Sequence, residues 1–184
     1  MSTTSTTLMV MNRDQAESWR THVQHVMISI IDPGSTTPTL PAQASRIGWL
    51  VRAFTDFDRA HRGVKRMTKD DAKVIAEFAL DHYGQVPLMV IHCEAGISRS
   101  PAIAAAIAKF ETGNDDDWFR RYLPNRWVYR QMADALCRTT GKMRVTIQDH
   151  HGKLIGRMNL YASQAKHLKS IKRFPIRFQY AATR

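Results

Sequence analysis

Between residues 87 and 110 the chain runs from PLMVI through HCEAGISRS into PAIAAAIAKF. The first run is short, unbroken and rich in β-formers, the pattern of a buried strand. The last is too long for a strand and is dominated by alanine, the best helix former. His92 to Ser100 therefore have to turn a buried strand directly into a helix. A strand feeding a helix through a short loop is the repeating unit of α/β folds, so this stretch alone points to that class.

The residues of the turn carry chemistry. A loop of this kind leads into the first turn of a helix, whose N–H groups have no intrahelical partner, and the helix dipole adds partial positive charge there. Together the amides of Glu94, Ala95, Gly96, Ile97, Ser98 and Arg99 are expected to cradle a tetrahedral oxyanion. Arg99 adds a planar fork of donors able to grip two phosphate oxygens at once, which a lysine cannot do. Cys93 lies at the mouth of the same positive field, a setting that favours the thiolate, the nucleophilic form of the side chain. Metal binding is a poorer reading of these residues. The side chains of His92 and Cys93 diverge, and Cys137, His150 and His151 do not complete a zinc spacing.

In the form HC-x5-R-S, carried by His92, Cys93, Arg99 and Ser100, the segment resembles the motif of the protein tyrosine phosphatase superfamily. HCEAGISRSP is most similar to its dual-specificity branch. The resemblance implies a cysteine-dependent phosphatase that needs no metal or other cofactor. It implies that Cys93 attacks phosphorus, that Arg99 binds the phosphoryl oxygens, that Ser100 helps the thiolate leave, and that His92 tunes the cysteine through hydrogen bonding. The implied substrates are phosphorylated proteins, at Tyr, Ser or Thr. The superfamily also places an aspartate general acid after a strand, thirty to forty residues before the cysteine. Asp56 and Asp58 both satisfy that spacing; the F-x-D ending of Phe54-Thr55-Asp56 is similar to the family pattern and favours Asp56, with Asp58 as the alternative.

The rest of the chain supplies strands and helices in alternation. Leu8 to Met11 reads as a short strand after a Ser/Thr-rich start, disordered over residues 1–7. Asn12 caps a helix running to about Thr21. Val26 to Ile31 reads as a central strand ending in the turn Asp32-Pro33-Gly34, followed by a loop to Ser45 read as surface filler. Arg46 to Phe54 is a further strand, and residues 60–66 a basic loop beside the acid. Thr68 and Asp71 open a helix that stops near Gly84. Asp115 to Asp117 begin a short helix whose dipole they suit, and Asn125 precedes an amphipathic helix to Arg138 in which Cys137 is a packing residue. The expected fold is a mostly parallel sheet with helices on both faces, over residues 8–140, with its site at the carboxyl end of a central strand.

Charge divides the chain differently. Residues 1–137 hold 16 Lys and Arg against 15 Asp and Glu, whereas residues 138–184 hold 11 against one, Asp149, so the net +11 belongs almost wholly to the end of the sequence. Residues 141–184 are expected to form a small basic β-rich extension. It comprises a hairpin turning at His151-Gly152, a short helix over 164–171 and a strand over 175–180. Such a segment invites an anionic partner, nucleic acid or acidic protein, and with it an RNA 5′-phosphatase as an alternative function. A phosphate-binding module without turnover is the second alternative. Two cysteines and no secretory or membrane-spanning pattern lead to the expectation of a cytoplasmic protein with no disulfide framework; nothing in the sequence sets the oligomeric state.

Overall fold

The structure, a computed structural model, describes residues 5–148, 153–161 and 177–180. Four strands, β1 (Thr7–Met11), β2 (His25–Ile31), β3 (Arg46–Ala53) and β4 (Leu88–His92), form a wholly parallel sheet in the order β1-β4-β2-β3. β2 and β4 lie inside the sheet and every residue in both is buried. That explains why both read as continuous apolar runs instead of alternating ones. Parallel neighbours need long crossovers, and α1 (Arg13–Ser18) and α2 (Lys69–His82) lie in two of them. After β4 the chain is helical: α3 (Arg99–Thr112), α4 (Asp116–Arg121) and α5 (Arg126–Thr139).

Alternate residues of the strands enter two cores. On one face Val26, Ile28, Ile30, Met89 and Ile91 pack with Ile75 of α2, Ile103 and Ile107 of α3, and Met132 and Leu136 of α5. Each such aliphatic side chain contributes about 1.5–3 kcal/mol when fully buried. α3 is enclosed almost from end to end, and its alanines allow the sheet and α5 to approach from both sides. The opposite face is thinner. There Met27, Leu88 and Val90 are covered by Ala16 of α1, Trp19 and Leu40. Helices do cover both faces, but one of them only with a single short helix plus the 32–45 loop. That loop is therefore more than surface filler, since Pro38 is buried within it and Leu40 packs beneath the sheet.

Local rules set most element ends. Asn12 and Gln15 form one capping box and Thr68 and Asp71 another. α1 stops at Ser18, earlier than its sequence suggests, because Trp19 turns extended and packs inward. The start of the chain is tied down sooner than expected. Thr6 is buried, its hydroxyl donates to the Val86 carbonyl at 2.6 Å and accepts from Gly84 N–H at 2.8 Å, and Thr7 already pairs with Leu88. The aspartates do open α4, with Asp116 and Asp117 in its first turn, but Asp115 at the N-cap makes no side-chain capping bond. Asn114 Oδ1 takes the Asp116 N–H, while Asp115 pairs with Lys109 and accepts from Tyr129, and Asp117 pairs with Arg120.

Beyond α5, β5 (Lys142–Gln148) and β6 (Leu154–Tyr161) pair antiparallel, and β7 (Arg177–Tyr180) pairs with the other edge of β5. The expected turn at His151-Gly152 and the helix over 164–171 lie outside the described residues. No helix among the described residues is long and apolar enough to cross a membrane.

Candidate active site

β4 delivers His92 and Cys93 to the carboxyl end of the sheet, and Arg99 opens α3, so the intervening loop lies where the strand, the helix N-terminus and β2 meet. The chain curls around the sulfur. Gly96 N–H points to Cys93 Sγ at 3.3 Å, and Ser100 Oγ lies 3.1 Å from the same atom. Groups three and seven residues further on thus reach one atom, and Cys93 is 2% exposed. Among the described residues no acceptor takes the N–H groups of Glu94, Ala95, Ile97 or Ser98. Unpaired amides at the start of a 14-residue helix are the donor set that an oxyanion requires.

The tight curl depends on Gly96. Its φ is +69°, and a Cβ there would fall 2.8 Å from Asn12 N and Met11 C. The loop is thereby pressed against the β1–α1 turn and bonded to it: Arg13 N–H donates to the Glu94 carbonyl and Arg13 Nη1 to Glu94 Oε1, both at 3.1 Å. Arg13 also holds Glu17 and the Thr36 carbonyl, so the carboxylate of Glu94 is turned away into a lateral network.

Arg99 is 4% exposed. Its Nη1 donates to Asp32 Oδ1 at 2.7 Å and to the Phe54 carbonyl at 2.8 Å, while its Nε has no partner among the described residues. A buried guanidinium N–H without an acceptor costs on the order of 1–3 kcal/mol or more, so this donor is set up to receive one. Asp32 was legible only as a turn residue. The turn forms, with Ser35 N–H bonded to the Asp32 carbonyl, but the side chain serves Arg99.

The two candidate acids separate. Asp56 Oδ1 accepts from Ser98 Oγ and from Asn125 Nδ2, each at 2.7 Å, which puts its carboxyl against the phosphate-type loop. Asp58 Oδ1 instead accepts from Trp127 N–H at 3.2 Å, at the start of α5. Asn125 is a residue that sequence reading valued only for its position before a helix. Besides holding Asp56 it caps α5, its Oδ1 accepting from Val128 N–H, and its own N–H binds the Ser98 carbonyl.

His92 is bonded through Nε2 to Ser29, and its ring interacts with the backbone of Cys93. Trp49 Nε1, a donor only, donates to Ser29 Oγ at 2.7 Å, and the same oxygen lies 2.6 Å from His92 Nε2. Burial, reinforced by the nearby charge of Arg13, lowers its pKa to about 4, which keeps the ring neutral around pH 7.

No family model and no curated protein sequence matches the chain. Solved structures do. A crystal structure of human tyrosine phosphatase-like serine/threonine/tyrosine-interacting protein matches with a TM-score of 0.50 at 19% identity, covering 72% of this chain and 93% of that one. A crystal structure of human DUSP28 matches with a TM-score of 0.50 at 14% identity and the same two coverages. At these identities the likeness is one of backbone architecture: the chain has a dual-specificity phosphatase-like fold, a parallel sheet that carries HC-x5-R between its inner strand and its buried helix.

Proposed function

We propose that the chain is a cysteine-dependent phosphatase acting on phosphomonoesters of protein Tyr, Ser or Thr through a phosphocysteine intermediate. The observation that carries this reading is the enclosure of Cys93 Sγ by Gly96 N–H and Ser100 Oγ, beside an Arg99 side chain held by Asp32 and Phe54 with its Nε still to be satisfied.

Cys93 Sγ, as thiolate, forms a bond to phosphorus while the bond from phosphorus to the ester oxygen breaks. The departing oxygen takes a proton from Asp56. Because both donors to Asp56 meet Oδ1, the transferable proton belongs on Oδ2. Arg99 and the loop amides hold the equatorial phosphoryl oxygens, and this positioning and charge stabilisation accounts for most of the acceleration. Water then attacks phosphorus, Asp56 recovers a proton from it, and the sulfur–phosphorus bond breaks. Ser100 Oγ, 3.1 Å from Sγ, donates to the thiolate as it leaves. No step calls for a cofactor.

The test is hydrolysis of an activated aryl phosphate in the presence of chelator by the intact chain and by Cys93→Ser. Turnover that survives chelation and disappears in the variant is expected; folded, reduced protein with no turnover from pH 5 to 8 would leave a phosphate-binding module. A second reading keeps the mechanism and changes the substrate to the 5′ end of RNA. It rests on the concentration of charge after residue 137. If it holds, removal of residues 142–184 lowers turnover of triphosphorylated RNA and spares that of the aryl phosphate.

A further inference from the structure

The loop that carries Asp56 has a cationic far side with no use in the chemistry above. It is closed at its base where Thr55 N–H and Oγ1 both bond the Lys65 carbonyl, at 2.8 and 3.0 Å, and Asp56 then docks on Ser98. Arg59, Arg62 and Lys65 are exposed and make no ion pair among the described residues. Asp58, next to Arg59 in the sequence, has its carboxylate bound at the start of α5. Arg66, by contrast, is fixed: it donates to the Asp58 carbonyl and stacks 4.0 Å above the Trp127 ring, so the arm is anchored at its base and free in charge at its tip.

A second rim segment is apolar. Ile97, inside the loop that surrounds Cys93, is 50% exposed, and Leu123, whose N–H donates to the Ile97 carbonyl at 3.1 Å, is 77% exposed. Water contact for these two side chains is unfavourable, and nothing among the described residues relieves it. Phe57, next to Asp56, is 48% exposed and leans on His61 in the basic arm, ring centroids 6.3 Å apart. Two chemically distinct borders, one apolar and one cationic, are thus both hydrogen-bonded to the same loop between β4 and α3.

We propose that this rim is a specificity surface for a polypeptide bearing the phosphorylated residue, with Ile97 and Leu123 taking an apolar neighbour and Arg59, Arg62 and Lys65 taking acidic ones. The inference rests on the phosphatase reading above and names the kind of protein segment it acts on. A peptide fits better than a bilayer surface, because the apolar side chains stand singly on three separate segments instead of forming the stripe of an interfacial helix. Exposed cations of this kind act chiefly by raising encounter with an anionic partner, in a salt-dependent way.

The experiment compares phosphotyrosine peptides with one core and acidic, neutral or basic flanks, each with Leu or Ser beside the phosphoresidue, on the full chain. The chain variants are R59A/R62A/K65A and Leu123→Ser, with an activated aryl phosphate as control. Acidic flanks are expected to raise kcat/KM about fivefold to tenfold over neutral ones at low salt, mainly through KM. That advantage should vanish in the triple variant and at high salt. Leu123→Ser should erase the preference for Leu over Ser, and both variants should keep wild-type turnover of the aryl phosphate. Equal kcat/KM for all flanks, or preferences unchanged in the variants, overturns the proposal. So does a loss confined to co-sedimentation with anionic phospholipid vesicles, which would make the rim a membrane contact. If the aryl phosphate itself is not hydrolysed, the phosphatase reading fails. The rim is then judged by peptide affinities on Cys93→Ser, where the same order of flanks supports it and no order refutes it.

Discussion

Asp32 Oδ1 and Arg99 Nη1 are 2.7 Å apart, although 67 residues separate them in the chain. The contact joins the end of β2 to the start of α3, and through the shared Nη1 it also engages the Phe54 carbonyl beyond β3. Three successive positions along the carboxyl edge of the sheet thus fix one guanidinium. Its direction is set before any phosphate arrives.

Asp32→Asn should therefore weaken catalysis without removing any group that touches substrate. The amide can still accept from Nη1, but it no longer balances a buried positive charge, and Arg99 gains freedom to leave its plane. We expect kcat/KM for an aryl phosphate to fall about 10- to 100-fold, the range in which small misplacements of binding groups act. Asp32→Glu should recover part of the loss if length is less important than charge. Unchanged kinetics in Asp32→Asn would show that the Phe54 carbonyl alone positions the arginine.

Gly96→Ala should disrupt both the loop and its support. A left-handed backbone costs a side-chain-bearing residue roughly 1–2 kcal/mol, and the added Cβ would in addition press on Met11 and Asn12 backbone atoms at 2.8 and 2.9 Å. Backbone cannot swing aside as a side chain can. The expected result is destabilisation of about 2–4 kcal/mol in denaturant unfolding, together with loss of most aryl phosphate turnover. Retention of both would mean that the β1–α1 turn yields more easily than its bonds from Arg13 to Glu94 suggest.

Asn125→Ala separates the two roles of that side chain. It removes an N-cap, worth about 1 kcal/mol, and one of two donors that hold Asp56 against the loop. Asn125→Ser can restore the cap but cannot reach Asp56 in the same way. If Asp56 is the proton donor, Ser should recover stability and leave turnover reduced by about tenfold, a tenth or less of the full contribution of a general acid. Parallel measurements on Asp58→Ala should leave turnover close to wild type, since its carboxylate is bound to Trp127 N–H. A large kinetic effect there, and none in Asn125→Ser, would move the acid to Asp58.

What was legible in the sequence follows from range. PLMVI, HCEAGISRS and PAIAAAIAKF each declare their conformation within a few residues, and the period of Val128, Met132 and Leu136 marks the buried face of α5 just as locally. The pairs that set the site's geometry have no such local mark. Asp32 with Arg99 and Arg13 with Glu94 meet only because strands adjacent in the sheet are distant in sequence, and Asp56 meets Asn125 because the segment after β3 docks on the start of α5. Asp32 in an Asp-Pro-Gly turn looks fully explained by the turn, and a residue with one sufficient reason gives no hint of a second. The 32–45 loop hid its packing for a related cause: with Leu40 as its one large aliphatic side chain, its apolar content is too small to stand out as core.

His92 gives a prediction that is independent of substrate. Held neutral by burial and by the nearby charge of Arg13, it takes a proton in the folded chain only near pH 4, whereas in the unfolded chain it does so near its ordinary value of 6.5. Between those two values the unfolded state binds more protons, so acidification favours unfolding, and the effect levels off once both states are protonated. The gap corresponds to roughly 3 kcal/mol lost between about pH 7 and pH 4. His25, also buried and shifted in the same direction by that burial, adds to the slope. His92→Gln, which can accept from Ser29 but cannot titrate, should lose stability less steeply over this interval than the wild type, even if it starts lower. Denaturant unfolding at pH 7, 6, 5 and 4.5 reads the difference directly. Parallel curves for the two proteins would mean that His92 is charged when folded, its Nε2 then donating to Ser29 Oγ beside Trp49.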